Sequence, residues 1–230
     1  LTTVFSLIKL PEMMSEASTG SYSDLFKNKK FMMGVAGIFC YVGAEVAIGT
    51  YLVNYFLSMD MATNIANSSF MSGLAQWFDA DILTKDPKAI VGVFVTFYWS
   101  GAMIGRFVGS YLTSRMQPTR VLSIFASCAI GMILLSVVTS GFVSMWSILA
   151  VGLFNSIMFP TIFTIALDGL GDLKPKASGL LCTAIVGGAL IPPFFGKMVD
   201  LLSFGAAFVI ITSLYGFIFY FGYRSSKATA

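Results

Sequence analysis

Apolar residues dominate this chain in blocks too long and too unbroken for a water-soluble fold. The first block, FMMGVAGIFCYVGAEVAIGTYLVNYFLSM, runs from Phe31 to Met59 with a single charge. A bilayer-crossing helix needs about 20 apolar residues. Six stretches meet that need: Phe31–Ser58, Ile90–Thr113, Val121–Thr139, Phe142–Leu167, Ala177–Val199 and Phe204–Tyr223. A soluble protein would interleave charge at helical or strand period, and these stretches do not. The pattern predicts an all-α membrane protein with six spanning helices.

Between the spans, polar positions mark turns and loops. Ser23–Lys30 is expected to form a short amphipathic helix leading into the first span, with Asp24 near its start and lysines at its end. Gly109 to Arg120 reads as a tight basic turn in which Pro118 blocks helix continuation. The segment from Met59 to Ala89 is long for a connection; it is expected to hold an interfacial helix around Ser68–Phe78 and a turn at Asp86-Pro87. The opening segment has no charged n-region or cleavage site of a secretory signal. It reads as an intracellular linker over residues 1–30, with further chain expected before Leu1, and residues 224–230 read as a tail.

Composition sharpens this picture. Charged residues make up 11% of the chain and apolar ones 57%, against about 25% charged in soluble domains. The basic residues segregate: Lys9, Lys27, Lys29, Lys30, Arg115, Arg120, Lys174, Lys176, Arg224 and Lys227 fall on one side, and Lys85, Lys88 and Lys197 on the other. That bias predicts cytoplasmic termini, and the net charge of +3 needs no nucleic acid to explain it. With no histidine and three cysteines inside apolar spans, neither a metal site, a Ser-His or Cys-His enzyme nor a disulfide framework is expected. No cofactor is implied.

Candidate chemistry then stands out against the apolar background. Glu45 sits mid-span, where a carboxylate costs about 2.5–3.5 kcal/mol on insertion scales. Such an acid faces a polar cavity, a proton path or a partner, or else is a neutral group hydrogen-bonded to a neighbouring helix. Tyr41, Glu45, Gly49 and Leu52 share a helical face, which is expected to line a cavity; Asn54 lies nearly opposite. Gly101, Gly105 and Gly109 form a ladder that lets another helix approach closely. Arg106, within that ladder, either snorkels to the headgroups or serves in ion pairing or gating. Pro160 in the fourth span removes a backbone hydrogen bond and frees the carbonyl of residue 156. Asn155 beside it is either interhelical glue or a ligand for sugar hydroxyls. In the fifth span, Gly187-Gly188 precede Pro192-Pro193, a site that can bend or unwind, as in the interrupted helices of transporters.

These residues carry a family resemblance. The strings YVGAEVAIGTYLVNY (41–55), GRFVGSYLTSRMQPTRVL (105–122), GLFNSIMFPTIFTIAL (152–167) and IVGGALIPPFFG (185–196) resemble the carboxyl-terminal half of the fucose/glucose/galactose permeases. These are proton-coupled sugar symporters of the major facilitator superfamily, and the resemblance covers residues 23–223. It implies two inverted three-helix repeats, Phe31–Thr139 and Phe142–Tyr223, facing an amino-terminal six-helix half across a substrate site near the midplane. Transport would proceed by alternating access. The implied function is hexose import by symport with H⁺ or Na⁺ in a cell membrane, the bacterial inner membrane being expected. The implied site joins Glu45, Tyr41, Gly49, Asn155 and Phe159, with Pro160, Gly187, Gly188, Pro192 and Pro193 as gating or hinge positions. Glu45 is similar to the glucose/galactose branch, since the fucose branch carries an amide there; Phe159 also departs from a fucose-type tyrosine. Residues 109–120, with Arg106 just before them, resemble a degenerate second copy of the superfamily's intracellular-loop motif, with Gly109, Arg115 and Arg120 but without its acid. A drug–proton antiporter of the same superfamily is the alternative, ahead of a six-helix channel. A membrane enzyme is disfavoured because Glu45, Asp168 and Asp172 lie at different depths.

Overall fold

The computed structural model describes residues 21–229, and the first twenty residues of the predicted linker lie outside the described segment. Six helical segments are long and apolar enough to cross a membrane: Lys29–Ser58, Pro87–Arg115, Pro118–Val138, Gly141–Leu167, Gly171–Leu201 and Phe204–Lys227. All six expected spans are present, several beginning a turn earlier than hydropathy places them, because polar caps and prolines can start a helix outside the apolar block. Pro87 and Pro118, for example, occupy first-turn positions where the missing N–H costs nothing.

The elements run as follows. Helix α1 (Tyr22–Lys27) precedes α2 (Lys29–Ser58); α3 (Met61–Asn67) and α4 (Ser69–Phe78) occupy the long connection; α5 (Pro87–Arg115) and α6 (Pro118–Val138) complete the first repeat. The second comprises α7 (Gly141–Asn155) with α8 (Met158–Leu167), α9 (Lys174–Thr183) with α10 (Gly187–Leu201), and α11 (Phe204–Thr229).

Two local expectations need correction. The helix anticipated at Ser23–Lys30 is split at Asn28, and its cap is Ser21, whose side chain accepts from the Ser23 N–H while Asp24 reaches back to the Ser21 N–H. Asn28 ends α1 and its side chain accepts from the Phe31 N–H, starting α2 afresh. The long connection holds two helices rather than one. Met61, Ile65, Met71 and Ala75 are buried, which fixes α3 and α4 against the bundle, and Asp86 caps α5.

Packing of the spans obeys the inverted repeat. The first span (α2) packs on the fifth (α10), the second (α5) on the fourth (α7), and the third (α6) on the sixth (α11). Exchanging the two repeats maps the first pair onto the second and the third onto itself. Glycine makes both exchanged crossings possible. A Cβ at Gly105 would overlap the Leu153 carbonyl, and one at Gly152 would overlap the Tyr98 carbonyl. A Cβ at Gly187 would overlap the Phe39 carbonyl, and one at Gly43 would overlap Ile191. In lipid, where helices have no hydrophobic drive to associate, such close backbone approach supplies the van der Waals contact that holds a bundle together.

Both second-repeat breaks fall where the sequence places helix-breaking residues. The fourth span is interrupted at Ser156–Ile157, just before Pro160. The fifth tightens into a 3₁₀ turn at Ala184–Val186, immediately before Gly187. Pro192 and Pro193 lie inside α10. Replacing Gly187 and Gly188 with Leu in the full-length protein should therefore separate α10 from α2. The unfolding midpoint in detergent should drop clearly while membrane insertion, read by protease protection of tagged loops, stays near normal; an unchanged midpoint in the double variant would contradict this packing role.

Candidate functional site

The fourth span is the most buried of the six, and its midpoint holds a fully buried amide. Asn155 is 0% exposed. Its Nδ2 donates to the Tyr98 hydroxyl at 2.9 Å, and its Oδ1 accepts from the Tyr215 hydroxyl at 2.9 Å. Its main-chain carbonyl, left over at the end of α7, accepts from the Tyr41 hydroxyl at 3.0 Å. Four spans thus meet at one residue: α2, α5, α7 and α11. In hydrocarbon each of these groups would otherwise be unpaired. The geometry makes Asn155 interhelical glue, and it does not line the cavity described below. Tyr98 and Tyr215 escaped the sequence reading; the available signal was a phenol in the middle of an apolar span, which requires a polar partner.

A second knot ties the opposite end. The Tyr55 hydroxyl lies 2.8 Å from Ser144 Oγ and 3.1 Å from Ser136 Oγ, joining α2 to the hairpin between α6 and α7. These two knots hold α2 rigid on either side of Glu45.

Glu45 faces a cavity of about 780 Å³ between α2, α5 and α8. Tyr41 and Phe159 line it with ring centroids 6.5 Å apart. Hydroxyls from Ser110, Thr113, Ser156, Thr161 and Thr164 add polar character, and Pro160 lies in the wall beside Phe159. The helix break at Ser156–Ile157 turns Ser156 and Ile157 into this wall. Arg106 lines the same cavity and acts electrostatically on Glu45. The two make no contact ion pair; among the described residues, the ion pairs within 4 Å join Lys30 to Asp168 and Lys85 to Asp79. Arg106 sits within the ladder because Gly105 and Gly109 pack toward Leu153 and Ile157 on the adjoining face.

The expected cavity face of α2 is thus only partly realised. Tyr41 and Glu45 line the cavity, but Gly49 lies against the Trp99 ring, where an added Cβ would come within 3.3 Å, and Leu52 is fully buried. The face turns from cavity to packing surface because α5 approaches α2 there. Asn54 is exposed. Gly187 and Gly188 pack on Phe39, Val42 and Val46, away from the cavity. Arg115 stacks its guanidinium over Tyr111 at 5.7 Å, just before the turn into α6.

At the basic end, Lys30 and Asp168 pair at 2.9 Å, linking the start of α2 to the end of α8. The Lys30 ammonium holds the Asp168 carboxyl below the usual carboxylate range. That contribution is present at neutral pH and is lost as pH falls through the lowered value; with the Asp168 side chain 73% exposed, it is small.

The fold and this cavity define a class. The chain superposes on a crystal structure of the Escherichia coli fucose:proton symporter with a TM-score of 0.79 and 26% identity, covering 97% of this chain and 51% of that one. It superposes equally on a structure of this major facilitator superfamily transporter in the outward conformation, with a TM-score of 0.78 and 25% identity. The architecture is therefore that of the carboxyl-terminal half of a major facilitator superfamily transporter, with its two inverted three-helix repeats. Sequence relatives narrow the class. The glucose/galactose transporter of Brucella abortus biovar 1 is 36% identical over 99% of this chain and 51% of its own length. A putative glucose/galactose transporter of Helicobacter pylori (strain ATCC 700392 / 26695) is 39% identical over 88% of this chain and 44% of its own. The L-fucose-proton symporter of Escherichia coli K12 is 30% identical over 97% of this chain and 48% of its own. No family model matches the chain. The chain belongs to the family of these sugar transporters and spans about half the length of the curated relatives it matches.

Asn155→Leu should leave the Tyr98 and Tyr215 hydroxyls without their partner and cost about 1–3 kcal/mol. The unfolding midpoint in detergent should drop clearly, whereas Tyr41→Phe, which removes one bond to a carbonyl, should cost about 0.6 kcal/mol, the average for hydrogen bonds between membrane helices. An Asn155→Leu protein of unchanged midpoint that loses only sugar binding would show instead that the amide serves the ligand.

Proposed function

We propose that this chain forms the carboxyl-terminal half of a secondary active transporter that imports a hexose of the glucose/galactose type by proton symport. The single observation that carries this reading is the mid-span cavity in which Glu45 stands among aromatic rings and hydroxyls. A carboxylate accepts paired sugar hydroxyls, rings such as Tyr41 and Phe159 cover the apolar C–H faces of a pyranose, and serine and threonine hydroxyls both donate and accept. The greater identity to glucose/galactose transporters, 36% and 39%, than to the L-fucose-proton symporter, 30%, favours the glucose/galactose type.

An amino-terminal six-helix half supplies the opposite wall, and both ends of the present chain face the cytoplasm of a bacterial inner membrane. Sugar and cation shift the balance between inward- and outward-facing arrangements of two rigid bundles. In this scheme Tyr41, Glu45 and Phe159 contact the hexose. Glu45 carries the coupling proton, because a carboxylate in a closing cavity is cheaper to bury neutral than charged. Arg106 tunes its charge from across the same cavity. The break next to Pro160 lets the cavity wall change shape without unpacking the Asn155 knot.

Glu45→Gln tests the assignment in the full-length protein, since glutamine keeps shape and hydrogen bonding but cannot ionise. The variant should still exchange labelled sugar across proteoliposomes yet lose accumulation driven by a pH gradient, by at least about 10-fold. A variant that accumulates sugar normally would make Glu45 a structural group and remove the proton role.

A further inference from the structure

A separate cavity lies at the basic end of the bundle, away from Glu45. It has a volume of about 230 Å³ and is lined by Lys29, Lys30, Met33, Phe221, Arg224 and Ser225. The first turn of α2 supplies its lysines and the last turns of α11 its arginine. Among the described residues, three cations line this space and no acid does. Arg224 donates to the neutral Tyr220 hydroxyl at 3.2 Å. Lys29 is exposed and forms no ion pair among the described residues. Among the described residues, Lys30 is offset by Asp168 at 2.9 Å, which lines a neighbouring cavity. Beneath the cations, Met33 is half-buried and Phe221 buried, and both belong to membrane-spanning helices.

Like charges gathered around one small space repel each other, and an anion between them relieves that repulsion. A floor of apolar side chains at the end of two spanning helices adds a requirement that a free ion does not meet. We infer that this cavity binds the phosphate headgroup of an anionic phospholipid, with the acyl chains descending along the α2–α11 seam past Met33. The ligand chemistry is a phosphodiester anion joined to an apolar stem. Basic pockets between membrane helices are suited to such headgroups, each nearby Lys or Arg adding a similar increment of attraction. Charge-assisted bonds from Lys29 and Arg224 to the phosphate oxygens would fix its position. The inference does not depend on which solute the central cavity carries.

The test uses the full-length protein, purified in detergent and stripped of lipid, titrated with phosphatidylglycerol, phosphatidylcholine or inorganic phosphate. Native mass spectrometry counts bound lipid, and the unfolding midpoint reports stabilisation. Phosphatidylglycerol should bind at about one site and raise the midpoint, with phosphatidylcholine and phosphate much weaker. The double variant Lys29→Gln/Arg224→Gln should weaken phosphatidylglycerol binding about 30-fold. Lys29→Arg/Arg224→Lys should retain it, which separates charge from any folding defect. Arg115→Gln/Arg120→Gln, with the same change in net charge elsewhere at this end, should also retain it. Equal weakening by that second pair would show diffuse attraction to the surface and overturn the site. Inorganic phosphate binding as tightly as the lipid would overturn the lipid assignment in favour of a soluble anion.

Discussion

Asn155 must bury an amide and an unpaired main-chain carbonyl in the middle of a membrane-spanning segment, and every other feature of the bundle is arranged around that need. Water cannot reach the site, so the partners have to come from other helices. Tyr41, Tyr98 and Tyr215 provide them from three different spans, at 2.9–3.0 Å. Each bond alone is modest. Together they permit one register of α2, α5, α7 and α11, because a one-residue slip of any of the four would rotate its group away from the knot.

That register sets the positions of the groups with chemistry. Tyr41 is held by Asn155, and Glu45 follows one turn later on α2, so the carboxyl is presented to the cavity from a helix fixed again at Tyr55. Tyr98 is held by the same amide, and Arg106 lies two turns further along α5, on the cavity side. The glycine crossings serve this arrangement, for α5 and α7 must meet backbone to backbone for Tyr98 to reach Asn155. The break after Asn155 has two effects at once: it leaves a carbonyl for Tyr41, and it turns Ser156 and Phe159 toward the cavity. Rigid packing and an adaptable wall therefore occupy successive residues of one span.

Much of this fold is legible in the chain because a bilayer allows few solutions. The six apolar blocks give the spans, and Pro160 and Gly187 mark the breaks within a few residues. The ladder from Gly101 to Gly109 announces a close crossing because only a missing side chain explains that spacing. What is less legible depends on partners remote in sequence. Asn155 reads equally well as glue or ligand until Tyr98 and Tyr215, 57 and 60 residues away, are seen to satisfy both ends of its amide. Gly49 shares a helical face with Glu45, yet Trp99 covers it, and helical periodicity on α2 carries no information about how α5 packs. Arg106 near a helix end suggests snorkelling; its place in the cavity depends on which face the neighbouring glycines give to α7. The helix begins at Tyr22, one residue before the expected Ser23, because Ser21 and Asp24 form a reciprocal cap at its start.

The central claim is that the Glu45 cavity belongs to a proton-coupled hexose transporter. Its most direct test is counterflow and net uptake by the full-length protein in proteoliposomes, against a panel of hexoses, with and without an imposed pH gradient. Glucose and galactose should exchange rapidly without a gradient and accumulate only when the gradient is inward and acidic outside, with L-fucose a poor competitor. Hexose exchange that is absent, or accumulation driven equally well with the pH gradient collapsed, would contradict the account.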